Sequence, residues 1–118
     1  MSSFRIDEET VEGGIPVIEA QGYVDFDAAP QLKRAIVRHL DEGHRQVIVD
    51  LSSVGFIDST GIGVLVGAVK RLGESGGSLG VVCPSDEMRG IFEVIGLDDV
   101  IPLHRSREHA VGALARAA

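Results

Sequence analysis

The chain has 118 residues, with 18 acidic and 11 basic side chains and a formal net charge of −7 at pH 7. This length favours one domain with its own core, so we treat residues 1–118 as a single domain, and the negative charge disfavours nucleic acid and anionic lipid as partners. The longest uncharged apolar stretch, residues 61–69, is about half of the ~20 residues that span a bilayer, and the N-terminus lacks the basic start and apolar run of a signal peptide. We therefore expect a cytoplasmic protein that binds neither nucleic acid nor a membrane.

Two predicted strands at the N-terminus form a hairpin. Residues 4–11 alternate weakly between apolar and polar side chains, Gly13 and Gly14 supply a turn, and residues 15–22 are again typical of a strand. Pro16 has no N–H to donate, so we expect its part of the second strand at a sheet edge or at the strand's start.

A first helix is predicted over about residues 28–42. Asp27 offers a side-chain cap, Pro30 suits the first turn, and Gly43 lies beyond the end. One apolar stripe runs along this helix, formed by Ala29, Leu32, Ile36 and Leu40.

The centre of the chain predicts a buried strand, a turn and a second helix. Residues 47–51 are mostly β-branched and apolar, as in a strand that is buried on both faces of a sheet. After Asp58 the apolar residues recur with the period of a helix that faces the core, at Ile62, Leu65, Val66, Val69 and Leu72. Ser59 is therefore expected where the strand ends and the helix begins.

The last third of the chain predicts a short buried strand at residues 79–83 and two more helices. Ser85 caps the first of these, whose apolar stripe is expected at Met88, Ile91, Phe92 and Ile95. Residues 100–101 suggest a short extended segment at a sheet edge, and Ser106 caps a terminal helix.

The order of predicted elements is β-β-α-β-α-β-α-(β)-α. Strands that are separated by helices pair in parallel, whereas the first hairpin is antiparallel. We therefore expect an α/β fold with a mixed sheet of four or five strands, an N-terminal antiparallel hairpin and about four covering helices.

A nucleotide site is one interpretation of the strand, glycine-rich turn and helix at the centre. The glycines at 61, 63 and 67 are spaced one residue too far for the dinucleotide fingerprint, and the Lys of a phosphate-binding loop is absent. The sequence thus disfavours a nucleotide cofactor, although a small nucleotide-binding protein stays open as the enzyme alternative.

Serine hydrolysis and metal chemistry find little support either. Ser59 lacks the G-x-S-x-G frame of a nucleophile elbow, so a His and an acid would have to be supplied by the fold. The four histidines form two pairs with five-residue spacing, which is poor for one helix face, at His39/His44 and His104/His109. Cys83 suits a buried structural residue better than a catalytic thiol. We expect no catalytic residue, no metal and no cofactor.

The outer face of the second helix is unusually small. If its apolar stripe faces the core, the opposite face carries Thr60, Gly63, Val64, Gly67 and Arg71. Each helical Gly costs roughly 1 kcal/mol relative to Ala, so this face is expected to contact something at close range. A second helix of the chain is one possibility, and a partner protein is the other; the chain has few helices to spare, which favours the partner.

Ser59 has two interpretations. Ser is among the best helix N-caps, which would give it a purely structural role. Phosphorylation is the alternative: it would add about −1.5 to −2 charge beside the outer face of the helix, which the helix N-terminus can accommodate. Asp58 would repel the phosphate, and a docked partner would be displaced.

The stretch Phe56-Ile-Asp58-Ser59-Thr60-Gly61-Ile62-Gly63-Val64-Leu65 resembles the signature of STAS-domain anti-sigma factor antagonists. The resemblance extends to residues 22–29 and 88–97, and Tyr23 stands where the family commonly carries an acidic residue. It implies a non-enzymatic STAS domain whose unphosphorylated form binds an anti-sigma factor that is also a serine kinase, and so frees a sigma factor.

The resemblance also implies the roles of individual residues. Ser59 would be the phosphoacceptor, the kinase would bring the ATP, and a serine phosphatase would restore the unphosphorylated form. Asp25 and Asp58 would lie near the phosphoacceptor, and the partner-binding surface would include Thr60, Gly61, Gly63, Val64 and Gly67. A STAS subunit of a stressosome-like or transporter-associated complex is the alternative within the same family.

Overall fold

The computed structural model describes residues 4–117 and has five strands and four α-helices in that part of the chain. The strands are β1 (Arg5–Val11), β2 (Ile15–Val24), β3 (Gln46–Ile57), β4 (Ser78–Val82) and β5 (Leu103–His104). The helices are α1 (Ala29–Asp41), α2 (Ser59–Glu74), α3 (Asp86–Val94) and α4 (Arg107–Ala117), and a short 3-10 turn (Glu12–Gly14) joins β1 to β2. The predicted α/β fold is confirmed.

One mixed sheet has its strands in the order β1-β2-β3-β4-β5. The β1–β2 hairpin is antiparallel and every other pairing is parallel, as predicted. Pro16 is the second residue of β2, where it faces Thr10 of β1, and the parallel pairing to β3 begins one residue later at Val17. The missing N–H of Pro16 therefore falls at the start of the strand.

The two faces of the sheet are covered unequally. Alternate residues of β3, such as Val47 and Val49, belong to a core that also contains buried side chains of α1, α2 and α3. Ile48 points to the other face and joins a smaller core with Ala110 and Leu114 of α4. Because successive strand residues point to opposite faces, three helices share one side of the sheet and α4 covers part of the other.

A buried carboxylate ties α4 to the sheet. Asp50 of β3 is buried and accepts a hydrogen bond of 2.7 Å from Nε of Arg107, the first residue of α4. The same guanidinium pairs with Glu9 of β1 and lies 3.5 Å from a carboxylate oxygen of Glu19 of β2. Three neighbouring strands therefore contribute acids to one arginine.

The cap that we predicted for α1 is wrong. Asp27 is exposed and makes no capping bond, whereas the carboxylate of Asp25 accepts from the N–H of Ala28 at 3.0 Å. The backbone carbonyl of Asp25 also accepts from the N–H groups of Ala28 and Ala29. The chain turns around Asp25 directly after β2, so Asp25 stabilises the turn before α1, and no side chain among residues 4–117 caps the helix itself.

The apolar stripe predicted for α2 packs against the core, but two of its residues are only half-buried. In α2, Leu65 and Leu72 are buried but Val66 is half-buried, because it lies about 100° from Leu65 around the helix. Val69 is likewise half-buried, and Ala68 takes a fully buried place instead.

The stripe of α3 is narrower than predicted. Met88 and Phe92 are buried, whereas Ile91 and Ile95 are exposed. Ile91 lies to one side of the Met88–Phe92 row, and Ile95 falls beyond the last helical residue, Val94. A helix of nine residues buries one row of side chains and leaves the next row outside.

The last strand also lies later than predicted. It is formed by Leu103 and His104, not by residues 100–101, and Ile101 is a buried residue of the preceding turn. Pro102 still contributes its carbonyl, which accepts from the N–H of Val81 at 2.9 Å.

The predicted caps at Ser85 and Ser106 are confirmed. Within residues 4–117, no helix has the length and apolar character needed to cross a membrane.

Candidate functional site

The predicted site residues meet where two parallel strands end at the same edge of the sheet. Val24 of β2 is paired with Ile57 of β3, and each strand ends there, followed by Asp25 and Asp58 respectively. The N–H of Asp58 donates to the carbonyl of Val24 at 3.1 Å, which holds the two strand ends together. The structure therefore brings both predicted carboxylates to one edge, and each begins the connection to a helix.

Asp58, and not Ser59, is the N-cap of α2. Asp58 has an extended backbone, and its Oδ1 accepts from the N–H of Gly61 at 3.0 Å. Ser59 is the first helical residue, is exposed, and its hydroxyl makes no hydrogen bond to any residue from 4 to 117. The structural interpretation of Ser59 as a cap is therefore wrong, and its hydroxyl stands free at the positive end of a 16-residue helix.

Gly61 is buried under the end of the two strands. A Cβ at this position would lie 2.7 Å from Cγ1 of Val24, 2.8 Å from the carbonyl oxygen of the same residue, and 2.8 Å from Cγ1 of Ile57. Only a residue without a side chain lets α2 approach the sheet this closely. Gly61 thus sets the position of the helix and contributes little surface of its own.

The outer face of α2 opens onto a groove between α1 and α2. Thr60, Gly63, Val64 and Gly67 line one wall, as the helical period predicted. A Cβ at Gly63 or Gly67 would meet no atom of the described residues within 4 Å, so no other helix packs on these glycines. The groove has a volume of about 660 Å³ and is mostly apolar.

The opposite wall of the groove comes from α1, which the sequence did not indicate. Pro30, Val37 and Leu40 extend the apolar surface, and the side chains of Lys33, Lys70 and Arg71 lie along the groove as well. A basic rim in a chain of net charge −7 favours a partner that carries acidic groups around an apolar contact.

Three exposed aromatic side chains lie in and just after the strand ends. The exposure of two of them, Phe26 and Phe56, is not predicted from the sequence. Tyr23, Phe26 and Phe56 are 55%, 73% and 47% exposed. The rings of Tyr23 and Phe56 are 5.9 Å apart in an edge-to-face arrangement, because these residues are paired across β2 and β3. Exposed aromatic clusters are typical of protein interfaces.

The exposure of Phe56 could not be predicted from the alternation of residues along β3. Strict alternation from Val54 would put Phe56 in the core, but Ile57 occupies the buried place at the strand end. Two register shifts in the β2–β3 pairing, one between Glu19 and Gln21 and one between Gly22 and Tyr23, change which residues face inward.

The groups that enzymatic alternatives would need are not assembled here. No histidine among residues 4–117 is hydrogen-bonded to Ser59, and the ring of His39 is held instead by Glu8. Cys83 is buried, and burial raises the pKa of its thiol. The strand ends therefore place an exposed hydroxyl, a groove and three exposed aromatic rings near one another.

Comparison with known proteins gives a consistent result. The sequence profile of the STAS domain matches residues 8–110. The chain is 29% identical to the anti-sigma-B factor antagonist of Staphylococcus aureus over 101 residues, which are 86% of this chain and 94% of that protein. It is 28% identical to an anti-sigma factor antagonist from Mycobacterium paratuberculosis, whose crystal structure has a TM-score of 0.86 and covers 96% of this chain and 95% of its own.

A third relative has been solved in a modified state. The Bacillus cell fate determinant SpoIIAA in its phosphorylated form has a TM-score of 0.70 and 25% identity, covering 97% of this chain and 100% of its own. The family resemblance drawn from the motif around Ser59 is confirmed by these matches. This chain belongs to the STAS domain family.

Proposed function

We propose that this protein is an anti-sigma factor antagonist, a non-enzymatic module that binds an anti-sigma factor and thereby frees a sigma factor. Relatives from Staphylococcus and Mycobacterium that align over most of the chain carry that function in their names. The open groove between α1 and α2 supports the proposal, because it exposes an apolar surface that no described part of the chain covers.

The partner contacts the groove and the aromatic edge beside it. Thr60, Gly63, Val64 and Gly67 form the contact wall, and the two helical glycines let a partner backbone or side chain approach α2 closely. Tyr23 and Phe56 supply amphipathic surface at the rim.

The other predicted residues of the site have positioning roles. Asp25 stabilises the turn that leads into α1, Asp58 caps α2, and Gly61 fixes the depth of α2 against the sheet. These three residues shape the surface beside the phosphoacceptor.

Ser59 is the switch. Its exposed hydroxyl is the observation that carries the proposal, because it is free of capping duty and adjoins Thr60 on the groove wall. A serine kinase within the anti-sigma factor transfers the γ-phosphoryl group of ATP to this hydroxyl, and a serine phosphatase removes it by hydrolysis. The relative that has been solved in a phosphorylated form supports a covalent switch on this fold.

Phosphorylation weakens binding through charge and bulk. The phosphate adds about −1.5 to −2 charge next to the carboxylate of Asp58, at the end of a groove whose surface suits a partner with acidic groups. The amide groups at the start of α2 accommodate this charge, so the domain stays folded while the partner is repelled.

A charge-mimicking variant tests this mechanism. Ser59→Asp is expected to lower the affinity for the cognate anti-sigma factor at least about tenfold, equal to ~1.4 kcal/mol, as measured by titration calorimetry. The matched control is Ser75→Asp, which places the same charge at the exposed far end of α2 and is expected to bind like the wild type. Equal affinities for Ser59→Asp and Ser75→Asp would refute the charge-and-bulk switch.

A further inference from the structure

Two histidines lie close together at the C-terminal end of α1, although their five-residue spacing is poor for one helix face. The helix ends at Asp41, and the chain reverses at Gly43, which has a positive φ of 92°. The N–H of His44 donates to the carbonyl of His39 at 3.1 Å, and the N–H of Gly43 donates to that of Leu40 at 3.0 Å. This Schellman turn leaves the two imidazole rings with centroids 5.4 Å apart.

A carboxylate lies between the two rings. Oε1 of Glu42 is 3.7 Å from Nδ1 of His39 and 3.9 Å from Nε2 of His44. One ligand atom from each of these three residues lies within 4.8 Å of the other two. The two histidines meet despite their five-residue spacing because only His39 lies on the helix, while His44 follows the turn.

His39 is oriented by a fourth residue. Its Nε2 lies 2.6 Å from Oε1 of Glu8 on β1, and Glu8 is also bound by the guanidinium of Arg38. Burial raises the pKa of Glu8, but hydrogen bonds from Arg38 and His39 outweigh it and lower the pKa overall. A carboxylate that accepts Nε2–H leaves the lone pair of Nδ1 available to a metal, as in carboxylate–histidine–metal triads.

The Nδ1 atom of His39 has no partner of its own. The side chain is only 12% exposed, and Nδ1 is buried without a hydrogen bond to any described residue. A buried polar atom without a partner costs free energy, and this one faces the carboxylate of Glu42.

We propose that His39 Nδ1, Glu42 and His44 Nε2 form a binding site for a divalent transition metal of the Zn²⁺ class. Two imidazoles and one carboxylate are the donor set that such ions favour, whereas Mg²⁺ and Ca²⁺ prefer oxygen donors alone. Metal–ligand bonds of about 2.0–2.2 Å place tetrahedral ligand atoms ~3.3 Å apart. The Glu42 oxygen lies 3.7 and 3.9 Å from the two nitrogens, and all three atoms lie within 4.8 Å of one another, so they must close in by roughly 0.4 Å to at most ~1.5 Å.

Two of the three proposed ligands, Glu42 and His44, can move to close the site. Glu42 and His44 have side chains that are 54% and 38% exposed, so they can rearrange, while His39 is fixed by Glu8. The site lies at the opposite end of α1 from Asp25, and Ser59 contributes nothing to it. Metal binding is therefore independent of the proposed phosphorylation switch.

The test uses the full chain without any histidine tag. Titration calorimetry with ZnCl₂ is expected to give one site per chain, and CoCl₂ is expected to give the visible absorption bands of tetrahedral Co²⁺. His44→Ala and Glu42→Gln change side chains that are 38% and 54% exposed, so both variants are expected to fold. Each is expected to lower the Zn²⁺ affinity at least about tenfold. His109→Ala, an exposed histidine of α4 outside the cluster, is the matched control and is expected to bind like the wild type.

Two results would overturn the proposal. One is the absence of a one-to-one site at 100 µM Zn²⁺, which would mean that the three side chains do not close around an ion. The other is binding that survives unchanged in His44→Ala, which would place any bound ion elsewhere on the surface.

Discussion

At the scale of single residues, Gly61 and Ser59 have different roles in the turn from β3 to α2. Gly61 is buried against Val24 and Ile57 and allows no side chain, whereas Ser59 is exposed and makes no structural bond among the described residues. The cap that holds the turn belongs to Asp58. Ser59 is thus free to be modified without loss of the interactions that fix the helix.

Gly61→Ala is expected to destabilise the fold by about 1–3 kcal/mol, because the added methyl group would overpack the contact with the strand ends. Chemical denaturation measures the change in the free energy of unfolding. Ser59→Ala serves as the comparison, since it removes a hydroxyl that has no partner among residues 4–117, and it is expected to stay within about 0.5 kcal/mol of the wild type. A Gly61→Ala protein as stable as the wild type would show that the helix is not held at this depth.

At the scale of elements, α2 carries a core face and an open face. The core face holds Leu65 and Leu72 against the sheet, and the open face lines the groove through Gly63 and Gly67. Two glycines in the interior of a helix lower its stability, so a sequence selected for stability alone would replace them.

Gly63→Ala is expected to raise the stability of the fold and to weaken partner binding. A Cβ there meets no described atom within 4 Å, so the variant gains up to about 1 kcal/mol of stability from helix propensity. The same methyl group narrows the groove and is expected to weaken partner binding about fivefold, equal to ~1 kcal/mol. Denaturation and calorimetry measure the two effects on one sample.

Gly73→Ala is the control for this prediction. Gly73 also lies in α2 with open space around it, but it does not line the groove. It is expected to leave partner binding unchanged. If Gly63→Ala binds as tightly as Gly73→Ala, the groove wall is not a contact surface.

Much of this arrangement follows from the sequence because helical and strand periods are local properties. The order of the elements, the N-terminal hairpin and the groove-facing side of α2 were predicted from them. The rest depends on contacts between distant segments: α1 supplies the second groove wall, and the exposure of Phe56 follows from the register of β3 against β2. His39 and His44 meet only because a Schellman turn follows α1.

At the scale of the whole molecule, the two faces of the sheet are stabilised differently. The large core under α1, α2 and α3 is apolar, whereas α4 is fixed partly by Arg107, which reaches the buried carboxylate of Asp50. The side chain of Asp50 is 4% exposed and that of Arg107 is 26% exposed. Removing the arginine would leave a buried negative charge with other acids close by.

Arg107→Met is therefore expected to destabilise the protein by about 3 kcal/mol, as for a buried ion pair that loses one partner. Hydrogen exchange is expected to show the earliest loss of protection in α4, since that helix is anchored by this contact. Arg105→Met is the control, because Arg105 pairs with Asp86 on the surface, where such pairs contribute about 0–1 kcal/mol. Equal stability losses in the two variants would contradict a special role for Asp50 and Arg107.

Phosphorylation of Ser59 is expected to release the partner from the groove beside it. The most direct measurement is to incubate the complex of this protein and its cognate anti-sigma factor with ATP, map the phosphate by mass spectrometry and follow the complex by size-exclusion chromatography. We expect a single phosphate on Ser59 and dissociation of the complex in step with its appearance. A phosphate on another residue, or a complex that persists with Ser59 fully phosphorylated, would contradict the claim.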